Sequence, residues 1–368
     1  MRGIIGERFS VALFGESHGA CVGCLVIGCP SGLGLDVEDI QSKVDLRKPF
    51  AKGIHTSRME EDRVELLSGV FEGKTTGAPI CLLVRNVDVD SGPYELFRRV
   101  PRPGHADYVA RLKYGGFADH RGGGIFSGRM TLPMVMAGAV AEKLLRTTLG
   151  VETLAYSKEI GGISMGERSL DEIRELRYSN PVRCPDPLAA RAMEEAVRRA
   201  AEEGDSLGGV VEAICLNVPP GLGEPLLSEL DSDLARALFS IPAVKGVEVG
   251  LGFRSARMRG SECNDGLRLI GGDVTFSSNN LGGIIGGISN GMPLVLRVAF
   301  RPTPSIAKTQ RSVDVVEKRE VEVSVGGRHD PCVVPRAVPA VEAMISIVLA
   351  DHALRAGAIP QVLERAKT

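Results

Sequence analysis

No tryptophan occurs in these 368 residues, and phenylalanine and tyrosine bring the aromatic share to only 4%. Stacked aromatic platforms for single-stranded nucleic acid are therefore scarce. Net charge is also missing: 44 lysines and arginines stand against 46 aspartates and glutamates, a formal charge of -2. A nucleic-acid coat would need a strongly basic face. No run of side chains reads as the roughly 18 consecutive apolar residues that span a bilayer. The first residues lack the charged-then-apolar order of a secretory signal, and the expected location is the cytoplasm. No G-x-G-x-x-G follows the first strand and no G-x-x-x-x-G-K-[ST] occurs, so neither a Rossmann nor a P-loop nucleotide site is indicated. The pair Cys21-Val-Gly-Cys24 has no second CxxC to complete a metal site and lies in an apolar run. It reads as core, and no metal is expected.

What the chain has in quantity is glycine, 45 residues, and proline, 21. Short apolar segments at Ser10 to Phe14, Val22 to Cys29, Val64 to Phe71 and Pro79 to Val84 read as strands. Asp36 is placed to cap an amphipathic helix running to about Arg47. Helices are also expected from about Ala106 to Tyr114, Gly128 to Leu149, Pro185 to Glu203 and Val338 to Ala356. The second and fourth of these are apolar on most sides and so belong inside the molecule.

The second half echoes the first. Pro30-Ser-Gly-Leu-Gly34 matches Pro219-Pro-Gly-Leu-Gly223, each after an apolar strand and before an amphipathic helix. Ser17-His-Gly19 falls at the same offset as Ser206-Leu-Gly208. Gly69, Gly73, Gly77 and Pro79 share their spacing with Gly283, Gly287, Gly291 and Pro293. The order is not the strict strand–helix alternation of a doubly wound sheet, so the fold class is α+β. One domain is expected over residues 1–368, with related halves at roughly 10–150 and 205–356, sheets packed face to face and helices outside.

Chemistry concentrates in the glycine-set turns. His18 lies beside Glu16 and His105 beside Asp107, where a near-neutral pKa suits proton transfer. Asp330 comes after Arg328 and His329 in the turn from Gly326 to Pro335. Arg47, Arg129, Arg301 and Arg328, in a chain with no net positive charge, point to focused pockets for a small polyanion. Ser127-Gly-Arg129 at a helix start adds amides and the helix dipole for a phosphate. Gly15-Glu-Ser-His-Gly19 also fits the elbow of a serine hydrolase. Against that, only 14 residues precede it, and the segment after it is β-like where an elbow needs a helix. A binding-only protein would not require two loop histidines and an aspartate beside an arginine.

Six motifs in order resemble the chorismate synthase family: Phe14-Gly-Glu-Ser-His-Gly19, Arg102-Pro-Gly-His-Ala-Asp107, Arg121-Gly-Gly-Gly124, Gly286-Gly-Ile-Ser-Asn-Gly291, Arg301-Pro-Thr-Pro-Ser305 and Gly327-Arg-His-Asp-Pro331. The resemblance runs from about Gly6 to Ala356. It implies a β-α-β sandwich-type α+β domain in a homotetramer. It also implies a lyase that converts 5-enolpyruvylshikimate 3-phosphate to chorismate and phosphate by 1,4-anti elimination, with reduced FMN and no net redox change. By the same resemblance His18 protonates the leaving phosphate, His105 keeps the flavin in its reduced anionic form, and Asp330 works in removal of the C6 proton. Ser17, Arg47, Arg129 and Arg328 would hold substrate. Ile125, Phe126, Ser127, Gly286, Arg301, Pro302, Thr303, Pro304, Ser305 and Arg328 would hold the flavin, and Arg47 is a candidate contact for NADPH as reductant. The chain departs from the family pattern at Ile125, Phe126, Met130 and Arg301, and in the short pair Arg47-Lys48. Ile125 and Phe126 can meet a flavin only through backbone or apolar surface.

Overall fold

The structure, a computed structural model, describes residues 3–48, 61–87, 90–326 and 330–363. Five strands, β1 (Ile4–Ile5), β2 (Ser10–Gly15), β3 (Cys21–Ile27), β4 (Glu65–Ser68) and β5 (Ile80–Arg85), form one antiparallel sheet in the order β1-β2-β3-β5-β4. Five more, β6 (Glu152–Ile160), β7 (Ile163–Ser164), β8 (Gly209–Leu216), β9 (Val244–Val249) and β10 (Leu294–Phe300), form a second in the order β9-β10-β8-β6-β7. Alternation decides which face is inward. Along β10, Leu294, Leu296, Val298 and Phe300 are buried while the residues between them are less so. Their partners across β8 are Cys215, Ala213, Val211 and Gly209, which continue one small-residue row over the core.

Helix α1 (Val37–Asp45) starts where expected, with Asp36 and Asp39 exchanging the reciprocal bonds of a capping box. Helix α2 spans Asp107–Lys113, α3 Thr131–Leu149, α4 Pro187–Glu202, α5 Leu230–Phe239 and α6 Val334–Arg355. The layer order differs from the residue-based expectation. The sheets do not face each other with helices outside; α3 and α6 pack on one another between them, α3 against β2, β3 and β5 and α6 against β6 and β8. The physical reason is their composition. A helix apolar all round must be covered on every side, and only the middle layer provides that. One continuous core cluster runs through both sheets and these helices.

Helix α6 also corrects the reading that no segment is long and apolar enough for a membrane. Its 22 residues reach a mean hydropathy of 1.5 over the most apolar window, which is fully covered by the surrounding protein. It begins four residues before its expected start because Pro335 sits in the first turn, where its missing N–H was not required. The cysteines read as core include Cys24, fully buried with its thiol pKa pushed well above the ordinary range by burial.

Where α3 crosses α6, a Cβ placed on Gly138 would lie 2.2 Å from Cβ of Ala343 and 2.4 Å from its Cα. The two backbones meet there without room for a methyl group. Gly138→Ala is expected to destabilise the protein by about 1–3 kcal/mol through overpacking. That sign opposes the roughly 1 kcal/mol helix preference of alanine over glycine. A urea-unfolding midpoint at or above the wild-type value would contradict it.

Candidate active site

A cavity of about 490 Å³ opens at one end of the layered core, within the size range of small-molecule sites. Its wall is assembled from turns that the strands and helices hold in place. The turn after β2 brings Ser17, the loop before α2 brings Arg102 and His105, and the glycine run before α3 brings Gly122, Phe126, Ser127 and Arg129. Ile241 to Ala243, Arg301 with Thr303 to Ser305, and Asp330 with Arg336 complete it. Sequence-distant motifs thus converge on one space.

Its floor is a charge cluster. Arg129 donates through Nη1 to Oδ1 of Asp62 at 2.6 Å and through Nε to Oδ1 of Asn86 at 3.0 Å. Arg47 donates to Thr131 Oγ1 at 2.8 Å and to the Gly128 carbonyl at 3.2 Å, and lies 3.5 Å from Asp62. Arg336 donates to Oδ2 of Asp330 at 2.6 Å. Three guanidiniums share two carboxylates, and Arg47, Arg129 and Asp62 are each over nine-tenths buried. Burial, with Arg336 and Arg129 adding repulsion, pushes the Arg47 guanidinium down to about 9 against the opposing pull of Asp62 and Asp330. Among the described residues the cluster sets three guanidinium groups against two carboxylates.

The histidines are placed differently from their sequence neighbourhoods. His105 bonds Pro103 O through Nδ1 at 3.0 Å and Ser305 Oγ through Nε2 at 2.7 Å. A carbonyl only accepts, so Nδ1 carries a proton and Nε2 faces the hydroxyl. Asp107, expected as its acid, belongs to Arg102 instead: Nε donates to Oδ2 at 2.8 Å and Nη2 to Oδ1 at 2.9 Å. Arg102 in turn sits 4.7 Å from the Phe97 ring and 5.3 Å from that of Tyr94. Burial alone would raise the Asp107 carboxyl, but the arginine fork outweighs it and holds it below its usual range. His18 pairs through Nδ1 with Ser91 Oγ at 2.9 Å and meets Tyr94 edge-on at 5.2 Å, so Glu16 is not its partner in that bond. Burial and the nearby Asp119 carboxylate raise Glu16 above its ordinary value. His18 is buried and lies directly behind Gly122, outside the cavity wall itself. A Cβ on Gly122, whose φ is +60°, would lie 2.5 Å from its Nε2, so only glycine fits between the imidazole and the cavity.

Of the residues singled out from the sequence, Ser17, Arg47, His105, Phe126, Ser127, Arg129, Arg301, Thr303, Pro304, Ser305 and Asp330 line the cavity. Ile125, Gly286 and Pro302 do not. Arg328 and His329 lie outside the described residues. The turn carrying Ser17 runs into strand β3, not a helix, so it lacks the strand–elbow–helix of a serine hydrolase. Sequence reasoning missed Asp62 and Arg336. Neither sits in a glycine-set turn, although Arg336 falls six residues after Asp330, in the first turn of a helix. Asn86 was also missed. Its amide joins Arg129 to the carbonyls of Glu16 and Gly19 at 3.0 and 2.9 Å.

An α+β sandwich with a cationic cavity, a held carboxylate and a histidine at its wall defines an enzyme that binds a small polyanion and moves protons. The family model for chorismate synthase matches residues 9–354. The chain is 58% identical over 352 residues to the chorismate synthase of Korarchaeum cryptofilum, covering 96% of this chain and 97% of that one. It is 53% identical over 367 residues to that of Aeropyrum pernix, covering 99% and 96%. A crystal structure of a chorismate synthase superposes with a TM-score of 0.75 at 32% identity, over 95% of this chain and 93% of that one. The chain belongs to the chorismate synthase family, carbon–oxygen lyases of the shikimate pathway.

Two outcomes are expected from this geometry. Asp62→Asn leaves Arg47 and Arg129 facing each other and is expected to cost about 3–5 kcal/mol. Thermal unfolding should show added inorganic phosphate recovering more of the loss in the variant than it adds to wild type. Asp107 has a folded pKa below the 3.8 of a free carboxyl, so its contribution is complete above that value and lost as pH falls through the lower one. The stability gap between wild type and Asp107→Asn should therefore be wide at pH 7 and close in strong acid. A gap independent of pH would contradict the ion pair.

Proposed function

We propose that phosphate is eliminated from 5-enolpyruvylshikimate 3-phosphate in this cavity, giving chorismate, with reduced FMN bound beside the substrate. The observation that carries the reading is the convergence of Ser17, His105, Arg129 and Asp330, from four separate motifs, on one wall around an excess of positive charge. The substrate's two carboxylates and phosphate are groups that guanidiniums of this kind would hold. Arg47 and Arg129 are the candidate anion clamps, with Arg328 from outside the described residues. Arg47 is buried and bolted to the start of α3, which favours a substrate role over contact with NADPH.

The lining also suits a flavin mononucleotide. Phe126, Pro242, Ala243 and Val333 offer apolar surface to a flat ring, while Arg301, Thr303, Ser305 and Ser127 offer charge and hydroxyls to its polar edges and phosphate. Reduced FMN, when bound, supplies electron density that assists departure of the phosphate. His105, its Nδ1–H fixed on Pro103, keeps Nε2 and Ser305 as the proton-bearing pair at the wall. Asp330, oriented by Arg336, is the base for the C6 proton. His18 is the acid for the leaving phosphate. Proton transfer by one such group is worth on the order of 10²–10⁴ in rate.

The same reading takes the chain as one domain of two related halves. With α2, β7 and α4 as insertions, the order strand, strand, helix, strand, strand, helix runs through β2, β3, α1, β4, β5, α3 and again through β6, β8, α5, β9, β10, α6, the second series starting at Glu152, ahead of the expected half at 205–356. The sheet orders β2-β3-β5-β4 and β6-β8-β10-β9 correspond position by position. A homotetramer in the cytoplasm, with NADPH as a candidate reductant, completes the proposal.

The test is anaerobic. Purified protein with chemically reduced FMN and the phosphorylated substrate should release chorismate, followed by absorbance. His18→Ala and His105→Ala should each lose about 10²–10⁴ in kcat while remaining folded. Wild-type protein that makes no chorismate under these conditions overturns the reading. Repeating the assay with oxidised FMN and NADPH shows whether the chain reduces its own flavin.

A further inference from the structure

Asn86 sits one residue past the end of β5, behind the cavity wall and not part of it. Its backbone N–H donates to the Ala20 carbonyl at 3.1 Å, which fastens it beside the turn between β2 and β3. Its side chain then divides its bonds between two pieces of the site. Oδ1 accepts from Arg129 Nε at 3.0 Å, and Nδ2 donates to the carbonyls of Glu16 and Gly19 at 3.0 and 2.9 Å. The two carbonyls bracket Ser17 and His18. The guanidinium bonded on the other side lines the cavity floor. One planar amide therefore sets the distance between the turn that bears the acid and the arginine that faces the anion. An amide suits this place because it offers one acceptor and two donors in a single rigid plane. Three bonds to three partners use both donors and one of the oxygen's two lone pairs.

We infer that Asn86 is a positioning residue for the elimination, holding the turn of residues 16–19 in register with Arg129 so that acid and anion clamp meet the same phosphate. This rests on the reading of the cavity as the elimination site. Aspartate at this position has nearly the same shape and isolates the donor half of the function. An ionised carboxylate still accepts from Arg129 but turns its second oxygen on two carbonyl oxygens with no hydrogen between them. The turn is then pushed away. When that carboxyl takes up a proton it can donate again, and the turn can return.

Wild type, Asn86→Ala and Asn86→Asp are compared anaerobically with reduced FMN and the phosphorylated substrate, across a range of pH and below the unfolding temperature of each. Both variants are expected to lose about 100-fold in kcat at pH 8, the scale of a misplacement of about 1 Å. Relative to wild type at the same pH, kcat of Asn86→Asp should climb as pH falls through titration of the new carboxyl. The ratio for Asn86→Ala, which has nothing to protonate, should stay flat. A residue that merely stabilised the fold would lower the unfolding temperature and leave kcat and these ratios alone, and that result overturns the inference. So does a ratio for Asn86→Asp that does not change with pH. Should Asn86→Ala fail to fold, the near-isosteric Asn86→Asp and its pH ratio decide by themselves. Variants as fast as a wild-type protein that makes chorismate defeat the positioning role and leave the cavity assignment standing. A wild-type protein without activity defeats both.

Discussion

Two carboxylates, one of them over nine-tenths buried, set against three guanidiniums determine how this molecule is built. Arg47 reaches the cluster from the turn after α1, Asp62 from the approach to β4, Arg129 from the start of α3, and Asp330 with Arg336 from the start of α6. Taking ions of this kind out of water is expensive, and the interior returns that cost only where geometry is good and partners are complete. Charged groups held in place by one another before any ligand arrives are the electrostatic form of pre-organisation.

Around that cluster, the turns are tied to each other through backbone carbonyls more than through paired side chains. Asn86 holds the turn of residues 16–19, Arg301 donates to Gly104 O at 2.6 Å, and Ser206 donates to Thr303 O at 2.6 Å. Carbonyls cannot change rotamer, so these links fix where each loop sits. Loops fastened in this way approach the precision usually available only on strands and helices. The turn at Ser206, which carries Leu207 where the turn after β2 carries His18, uses its serine to brace the Arg301 to Ser305 tract and so supports a wall of the cavity.

Much of this was legible in the sequence, and the failures have physical reasons. Motifs set by glycines marked the turns that line the cavity, because a turn that must curve tightly and admit a ligand constrains its own residues. The first-sheet strands β2 to β5 could be read from their apolar runs. The layer order could not, since all-round apolarity says that a helix is buried but not between what. Partners across space were also hidden. Asp107 seemed to serve His105 because the two are close in sequence, yet the Arg102 fork makes better use of a half-buried carboxylate. Asp62 lies in a charged stretch with no motif, and only folding brings it to Arg129, 67 positions away.

The central position of α6 has a consequence for how the chain is made. The inner face of the second sheet rests on a helix that emerges from the ribosome only after every strand of both sheets, and α3 lacks its main helical neighbour until then. Between the synthesis of β10 and that of α6 a nascent chain holds the strands of both sheets with the second one uncovered, its apolar surface waiting for a segment not yet made. Chains released early would keep that surface open and be exposed to aggregation. Completion of the fold and of the cavity, whose wall includes Asp330 and Arg336, is thereby postponed until α6 is made.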